Sequence, residues 1–323
     1  MQLPEQLRRA IEEQMAGHGP RSLGQAALEL SEKYRAQRPA KGSFITSEAH
    51  RLAYAAARLP ATFAAGRAVF AEIRRRLPDQ GITSLLELGA GPGTAGWAAA
   101  EVFAELQQLT LVERDEGWIR MGRSLARAGE NALLENADWV HADLRAATSF
   151  PARDLVVCSY ALGELEQDEA RAVVQAAWPA ARVALVIVEP GTMAGFGLIR
   201  LLRAELIGLG GHLVAPCPHQ GECPISAGDW CHFSQRLDRS PLHRSLKIGA
   251  LGYEDEKFSY VVAAKAPVLP AGARVLRHPL RRAGHARLRL CTAEGIQMVA
   301  VTRSDPENWK RARKIAWGDA WPQ

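Results

Sequence analysis

One stretch restricts this chain more than any other. Ser84-Leu85-Leu86-Glu87-Leu88 reads as a short buried strand. It runs into Gly89-Ala90-Gly91-Pro92-Gly93-Thr94, and an Ala-rich helix follows through Trp97 to Phe103. Strand, glycine turn and helix form the nucleotide-binding corner of a doubly wound sheet. Glycines let the backbone approach a ligand closely, and the helix start offers unpaired N–H groups. Leu109-Thr110-Leu111-Val112 reads as a second strand ending at Glu113, about twenty residues past the glycines, where an acid can accept hydrogen bonds from ribose hydroxyls. An α/β class follows.

The glycines read Gly89-x-Gly91-x-Gly93, without the third glycine of the dinucleotide fingerprint at 94, and Glu87 sits just before the loop. This pattern resembles motif I of class I methyltransferases. The resemblance implies S-adenosylmethionine as cofactor. Glu87 and the loop glycines Gly89, Gly91 and Gly93 would hold its methionine end, Glu113 the ribose and Asp143 the adenine amino group. Asp143 ends a third strand, Trp139 to Ala142. Asp154 to Tyr160 is a fourth strand and Ala181 to Val188 a fifth, ending in Glu189. Ligands of such sheets bind beyond the carboxyl ends of the strands. Ser159, Tyr160 and Glu164 are therefore the candidate catalytic residues, although no Asn-Pro-Pro-Tyr or Asp-Pro-Pro-Tyr motif names an acceptor. Cys158, inside an apolar strand, reads as core. After an apolar helix, Phe196 to Leu209, the segment Tyr253 to Ala264 reads as the last strand of the sheet.

Between that helix and that strand stands a cysteine-rich stretch. Cys217-Pro218-His219-Gln220-Gly221-Glu222-Cys223-Pro224 is closed by Trp230-Cys231-His232-Phe233. Cys291, past the last sheet strand, could supply a fourth ligand. The local spacings are five and seven intervening residues. Structural zinc sites usually use closer pairs, whereas Cys-Pro pairs occur in iron–sulfur runs. A four-cysteine [4Fe–4S] cluster on Cys217, Cys223, Cys231 and Cys291 is the leading reading. Zinc stands as the alternative, with His212, His219, His232 or His243 able to complete it, and a site without metal is the third.

The remainder frames three regions. Residues 1–80 read as helical, with Leu3, Leu7 and Ile11 at helical spacing, a cap at Ser47 and a break at Pro60. No catalytic constellation is visible there, and packing or partner binding is expected. Residues 81–266 form the cofactor-binding domain, with the insertion at 211–245. In 267–323, Ala273 to His278, Ala286 to Cys291 and Gln297 to Thr302 suggest a small β module, and Pro306 to Trp321 a tail helix. The net charge is +5. An arginine-rich run without acids, Arg274 to Arg289, and Lys310-Arg311-Ala312-Arg313-Lys314 suit a polyanion such as RNA. No apolar run reaches the length of a membrane span. Met1 to Gln14 mixes arginines with glutamates and has no apolar core, so neither a secretory signal nor a transit peptide is read there. A cytoplasmic, monomeric protein is expected.

The cysteine block, with Phe233-Ser234-Gln235-Arg236, Glu254-Asp255-Glu256-Lys257-Phe258-Ser259-Tyr260, Leu162-Gly163-Glu164-Leu165, Glu189-Pro190-Gly191-Thr192 and Trp317-Gly318-Asp319, is similar to the methyltransferase-like family of mitochondrial small-ribosomal-subunit proteins and assembly factors. That family has bacterial members, and the N-terminal reading suggests one of those. The resemblance covers most of residues 45–321. It implies a class I methyltransferase-like fold carrying a [4Fe–4S] cluster on the four cysteines. It also implies association with small-subunit rRNA or a small-subunit precursor, as a methyltransferase or as a non-catalytic assembly factor.

Overall fold

The computed structural model describes residues 1–35, 45, 47–247 and 251–322. Helices α1 (Glu5–Met15) and α2 (Pro20–Arg35) come first. The Ser47 hydroxyl accepts from the His50 amide and starts α3 (Glu48–Ala57). The chain then breaks at Arg58, and α4 (Leu59–Arg76) restarts with Pro60 in its first turn, where a missing N–H costs no helix bond. These helices share one core with the sheet. Leu7, Phe63, Phe70, Leu125, Leu155 and Val186 belong to the same buried cluster.

The main layer alternates strand and helix: β1 (Ser84–Leu88), α5 (Thr94–Ala100), β2 (Gln108–Glu113), α6 (Glu116–Ala128), the short α7 (Ala132–Glu135), β3 (Asp138–His141), β4 (Arg153–Ser159), α8 (Gln167–Ala177), β5 (Ala181–Pro190) and α9 (Met193–Gly208). Then come β6 (His212–Ala215), β7 (Phe233–Asp238), α10 (Pro241–Lys247) and β8 (Tyr253–Ala264). The strands line up as β3-β2-β1-β4-β5-β8-β6, with β7 on the outer half of β8. The first five are parallel. β8 runs antiparallel to β5, with Val188 opposite Tyr260. This is an α/β class I methyltransferase-like fold with a mixed sheet. β4 and β5 are apolar in every central position, as a strand covered on both faces must be.

Three readings change. β6 and β7, on either side of the cysteine stretch, belong to the main sheet and were not foreseen. β6 is only four residues long, and β7 (Phe233–Asp238) carries four polar residues in six. The tail is not one helix to Trp321. α11 (Pro306–Ala312) ends early, Gly318 takes a left-handed conformation (φ 94°), and Ala320–Trp321 returns as a strand. That last strand, β13, pairs with β9 (Ala273–Val275) in a five-stranded antiparallel sheet with β10 (Leu280–Arg282), β11 (His285–Thr292) and β12 (Gly295–Thr302). Trp321 is buried there against Val275, Leu288 and Ile315, and this burial favours the strand over a continued helix.

Third, the arginine run is not a uniform basic surface. Arg274 is 1% exposed and ion-paired with Glu72 at 2.8 Å. Arg277 and Arg289 both bind Asp229, and Arg281 caps the carbonyls of Ala312 and Ile315. Arg282 and Arg287 remain exposed on the outer face of the second sheet. Among the described residues, no helix is long and apolar enough to cross a membrane.

Candidate functional site

A cleft of about 670 Å³ opens at the carboxyl ends of β1, β2, β4 and β5. Glu87, Gly89, Gly91, Glu113, Asp143, Ser159, Tyr160 and Glu164 all line it. Gly93 does not. It caps α5 with φ 81°, and a side chain there would meet Leu111 and Trp139. Its part is to turn the chain.

Each acid has a different local task. Glu87 is 2% exposed, and its carboxylate accepts from the amides of Ala95 at 3.0 Å and Gly96 at 2.8 Å. Burial pushes its pKa up to about 8, against the pull of those two amides. Glu87 therefore fastens β1 to the start of α5. Glu113 accepts from Gly91 N at 2.8 Å with one oxygen, and from the amides of Arg114 and Asp115 at 2.9 Å with the other. The turn and the second-strand acid are thus held as one unit. Asp143 is held down at about 2, mainly by the Arg145 side chain that binds it. Glu164, 3.7 Å from Arg114, is raised by burial.

On the far wall, the sequence marked Tyr160 but not its partners. Tyr160 lies in the left-handed region (φ 55°), rare for a bulky residue and worth about 1–3 kcal/mol of strain. Its hydroxyl donates to Glu256 at 3.0 Å, and Arg58 grips the same carboxylate at 3.2 Å through two nitrogens. Arg58 lies between α3 and α4, so the helical region, expected to serve packing or partner binding, also lines the cleft. Glu256 stands in the acidic first half of β8, in the segment read as the last strand of the sheet. The period of two along β8 gave a signal, because it puts Glu256 on the same face as Phe258 and Tyr260.

A second cavity lies below the cysteine stretch. Cys217, Cys223, Cys231 and Cys291 all line it, with Arg203, Arg274, Tyr260 and Phe196. Three thiols come from between β6 and β7, and Cys291 enters from β11. Burial raises the Cys231 thiol, and the other three sulfurs push the same way. Cys291 is pushed up to about 12, again mainly by burial. His219 reaches this cavity, with Nε2 3.7 Å from Cys291 Sγ. His232 packs between Trp230 and Trp317, His243 on α10 pairs with Glu254 of β8, and His212 lies on β6. Among the described residues, no three His, Cys, Asp or Glu side chains stand where one metal ion could take them all. Cys158 is fully buried in β4, as expected.

A family model described as "Mitochondrial small ribosomal subunit Rsm22" matches residues 48–322. The chain belongs to the Rsm22 family. Its relatives include the human ribosome assembly protein METTL17, mitochondrial, 31% identical over 294 residues, which cover 85% of this chain and 63% of that protein. Another is Rsm22-cox11 tandem protein 2, mitochondrial, of Schizosaccharomyces pombe, 25% identical, covering 84% of this chain and 43% of that one. The chain thus spans less than two thirds of either relative. The family description and both relatives are mitochondrial, which overturns the cytoplasmic expectation. That expectation rested on the acids of residues 1–14. Most of these residues form α1, whose Leu7, Ala10 and Ile11 are buried, so their pattern reflects a packed helix.

Solved structures with a similar fold include magnesium protoporphyrin IX methyltransferase from Synechocystis with bound SAH, at 13% identity and a TM-score of 0.43, covering 74% of this chain and 96% of that one. The N-methyltransferase NodS from Bradyrhizobium japonicum, in complex with S-adenosyl-L-homocysteine, is similar at 11% identity and a TM-score of 0.38, covering 61% and 84%.

Proposed function

We propose that this Rsm22-family chain is an S-adenosylmethionine-binding, iron–sulfur methyltransferase-like protein that acts on or with small-subunit rRNA during ribosome assembly. The observation that carries this reading is the convergence of Glu113, Asp143 and the Gly89–Gly91 turn on one cleft at the strand ends. Glu113 would take the ribose and the ionised Asp143 the adenine amino group. The turn, fixed from behind by Glu87, would take the methionine end. Bound there, the cofactor supplies an electrophilic methyl group on a sulfonium. Ser159, Tyr160 and Glu164 would flank the acceptor, and the chain's contribution would be to position it and exclude water. Calorimetry with S-adenosylmethionine tests this: absence of binding at millimolar cofactor rules it out.

The four thiols on one cavity support a [4Fe–4S] cluster over zinc. A cluster places each thiolate on a different iron, so four cysteines around one cavity are the donor set it takes. Cys217, Cys223, Cys231 and Cys291 would hold it, with a structural role. Anaerobic protein should be brown, with iron and acid-labile sulfide, whereas a colourless protein with one bound zinc refutes the cluster.

A second reading is a non-catalytic assembly factor. The wall opposite the cofactor residues is an internal network, with Tyr160 and Arg58 both engaged by Glu256, which favours cofactor binding without transfer. Labelled methyl transfer to small-subunit rRNA separates the two. Incorporation supports the enzyme, while binding to cofactor and RNA without incorporation supports the factor.

A further inference from the structure

Three arginines line the cysteine cavity, and they are balanced differently. Arg200 lies 3.9 Å from the Glu222 carboxylate and donates to the carbonyls of Ile225 and Cys223. Arg274 is neutralised by Glu72 at 2.8 Å, and its other nitrogens donate to the carbonyls of Pro216 and Gly318 at 2.8 Å. Arg203, on α9, is 6% exposed. Its Nε donates to Cys217 Sγ at 3.3 Å, and its Nη2 donates to the carbonyls of His219 at 2.9 Å and Gly221 at 2.7 Å. Among the described residues it makes no ion pair with a carboxylate. A buried charge without a counter-ion is strongly unfavourable. Carbonyl dipoles compensate only part of that. The charge of Arg203 is therefore complete only when the cavity itself becomes anionic, as four thiolates around a metal group make it.

Resting on the cluster reading above, we propose that Arg203 is the positioning residue and counter-charge of this site. Its fork spans the ligand loop, fixing Cys217 by the sulfur and the 219–221 backbone by two carbonyls. The same contact places a positive charge and an N–H donor against one ligand sulfur. Such groups around a cluster govern both its retention and its potential.

The test uses the full chain, purified anaerobically, as native protein and as Arg203→Met and Arg203→Lys. Iron and sulfide content, the rate of iron loss to a chelator and the reduction potential are measured, with circular dichroism as the check of folding. Arg203→Met should retain the cluster about 10- to 100-fold less well, the usual range for a partner behind a ligand, and its potential should fall. Arg203→Lys keeps the charge but cannot span sulfur and carbonyls together, so it should restore part of both. Native retention or native potential in a folded Arg203→Met overturns the inference while leaving the cluster reading intact. If Arg203→Met does not fold, Arg203→Lys decides: faster iron loss than native supports the inference, and native behaviour in both readouts overturns it. Native protein without iron and sulfide overturns the cluster reading and this inference with it.

Discussion

Glu87 and Glu113 lie in the same cleft, yet they act differently. Glu113 secures the turn by accepting from Gly91, and charge-assisted hydrogen bonds of this kind are worth about 1.5–3 kcal/mol. Glu113→Ala should therefore weaken S-adenosylmethionine binding by about 10- to 100-fold in calorimetry. Glu87 is held by burial near 8, well above its value in an unfolded chain. An acid shifted upward binds its proton more tightly in the folded state. Its contribution is complete at low pH and is lost as the pH rises from the unfolded value through about 8. The stability of Glu87→Gln relative to native should consequently rise between pH 5 and 8, with a slope of at most about 1.4 kcal/mol per pH unit. Urea melts across that range measure it, and a flat difference would count against the buried-acid account. Gly89 is constrained in space. At φ 69°, an added Cβ would stand 2.5 Å from the Ala161 side chain. Gly89→Ala should cost more than tenfold in cofactor affinity and lower the melting temperature, which calorimetry and thermal melts would show.

At the scale of elements, legibility followed periodicity. β1, β2, β4, β5 and β8 could be read because apolar runs bounded by glycine or acid have few alternative interpretations. The cleft wall of Glu87, Glu113 and Asp143 came with them, since these residues sit at strand ends. The opposite wall did not, because Arg58 and Glu256 are 198 positions apart and nothing local marks them as partners. The tail was misjudged for a similar reason. Residues 306–321 are helix formers up to Ala312, but Trp321 finds a core that only the folded second sheet creates. Trp321→Ala should destabilise that sheet by about 3–5 kcal/mol. Urea unfolding followed by amide exchange at β9 and β11 would detect the loss.

For the whole molecule, the distribution of charge matters more than its sum. Much of the arginine run is consumed internally. Exposed basic residues in these segments include Arg282 and Arg287 on one sheet face, and Lys310, Arg311, Arg313 and Lys314 in the tail. Exposed Leu280 and Met298, 63% and 65% accessible, share the sheet face with the two arginines. Arg282→Glu with Arg287→Glu should weaken small-subunit rRNA binding and reduce the slope of log affinity against log salt by about 2. Binding titrations at several salt concentrations read that slope, and an unchanged slope would place the RNA elsewhere.

The Glu72–Arg274 pair described above spans 202 positions and fastens a helix from the first quarter of the chain to a strand from the last. The cysteine cavity has the same chronology. Three thiols emerge from the ribosome together, but the fourth follows only after β8 and the start of the second sheet have been made. During synthesis the cavity is thus completed late, with β12, α11 and β13 still to follow. A full set of four thiols marks a chain translated through β11, and a nascent chain halted before Cys291 carries an open, three-thiol rim.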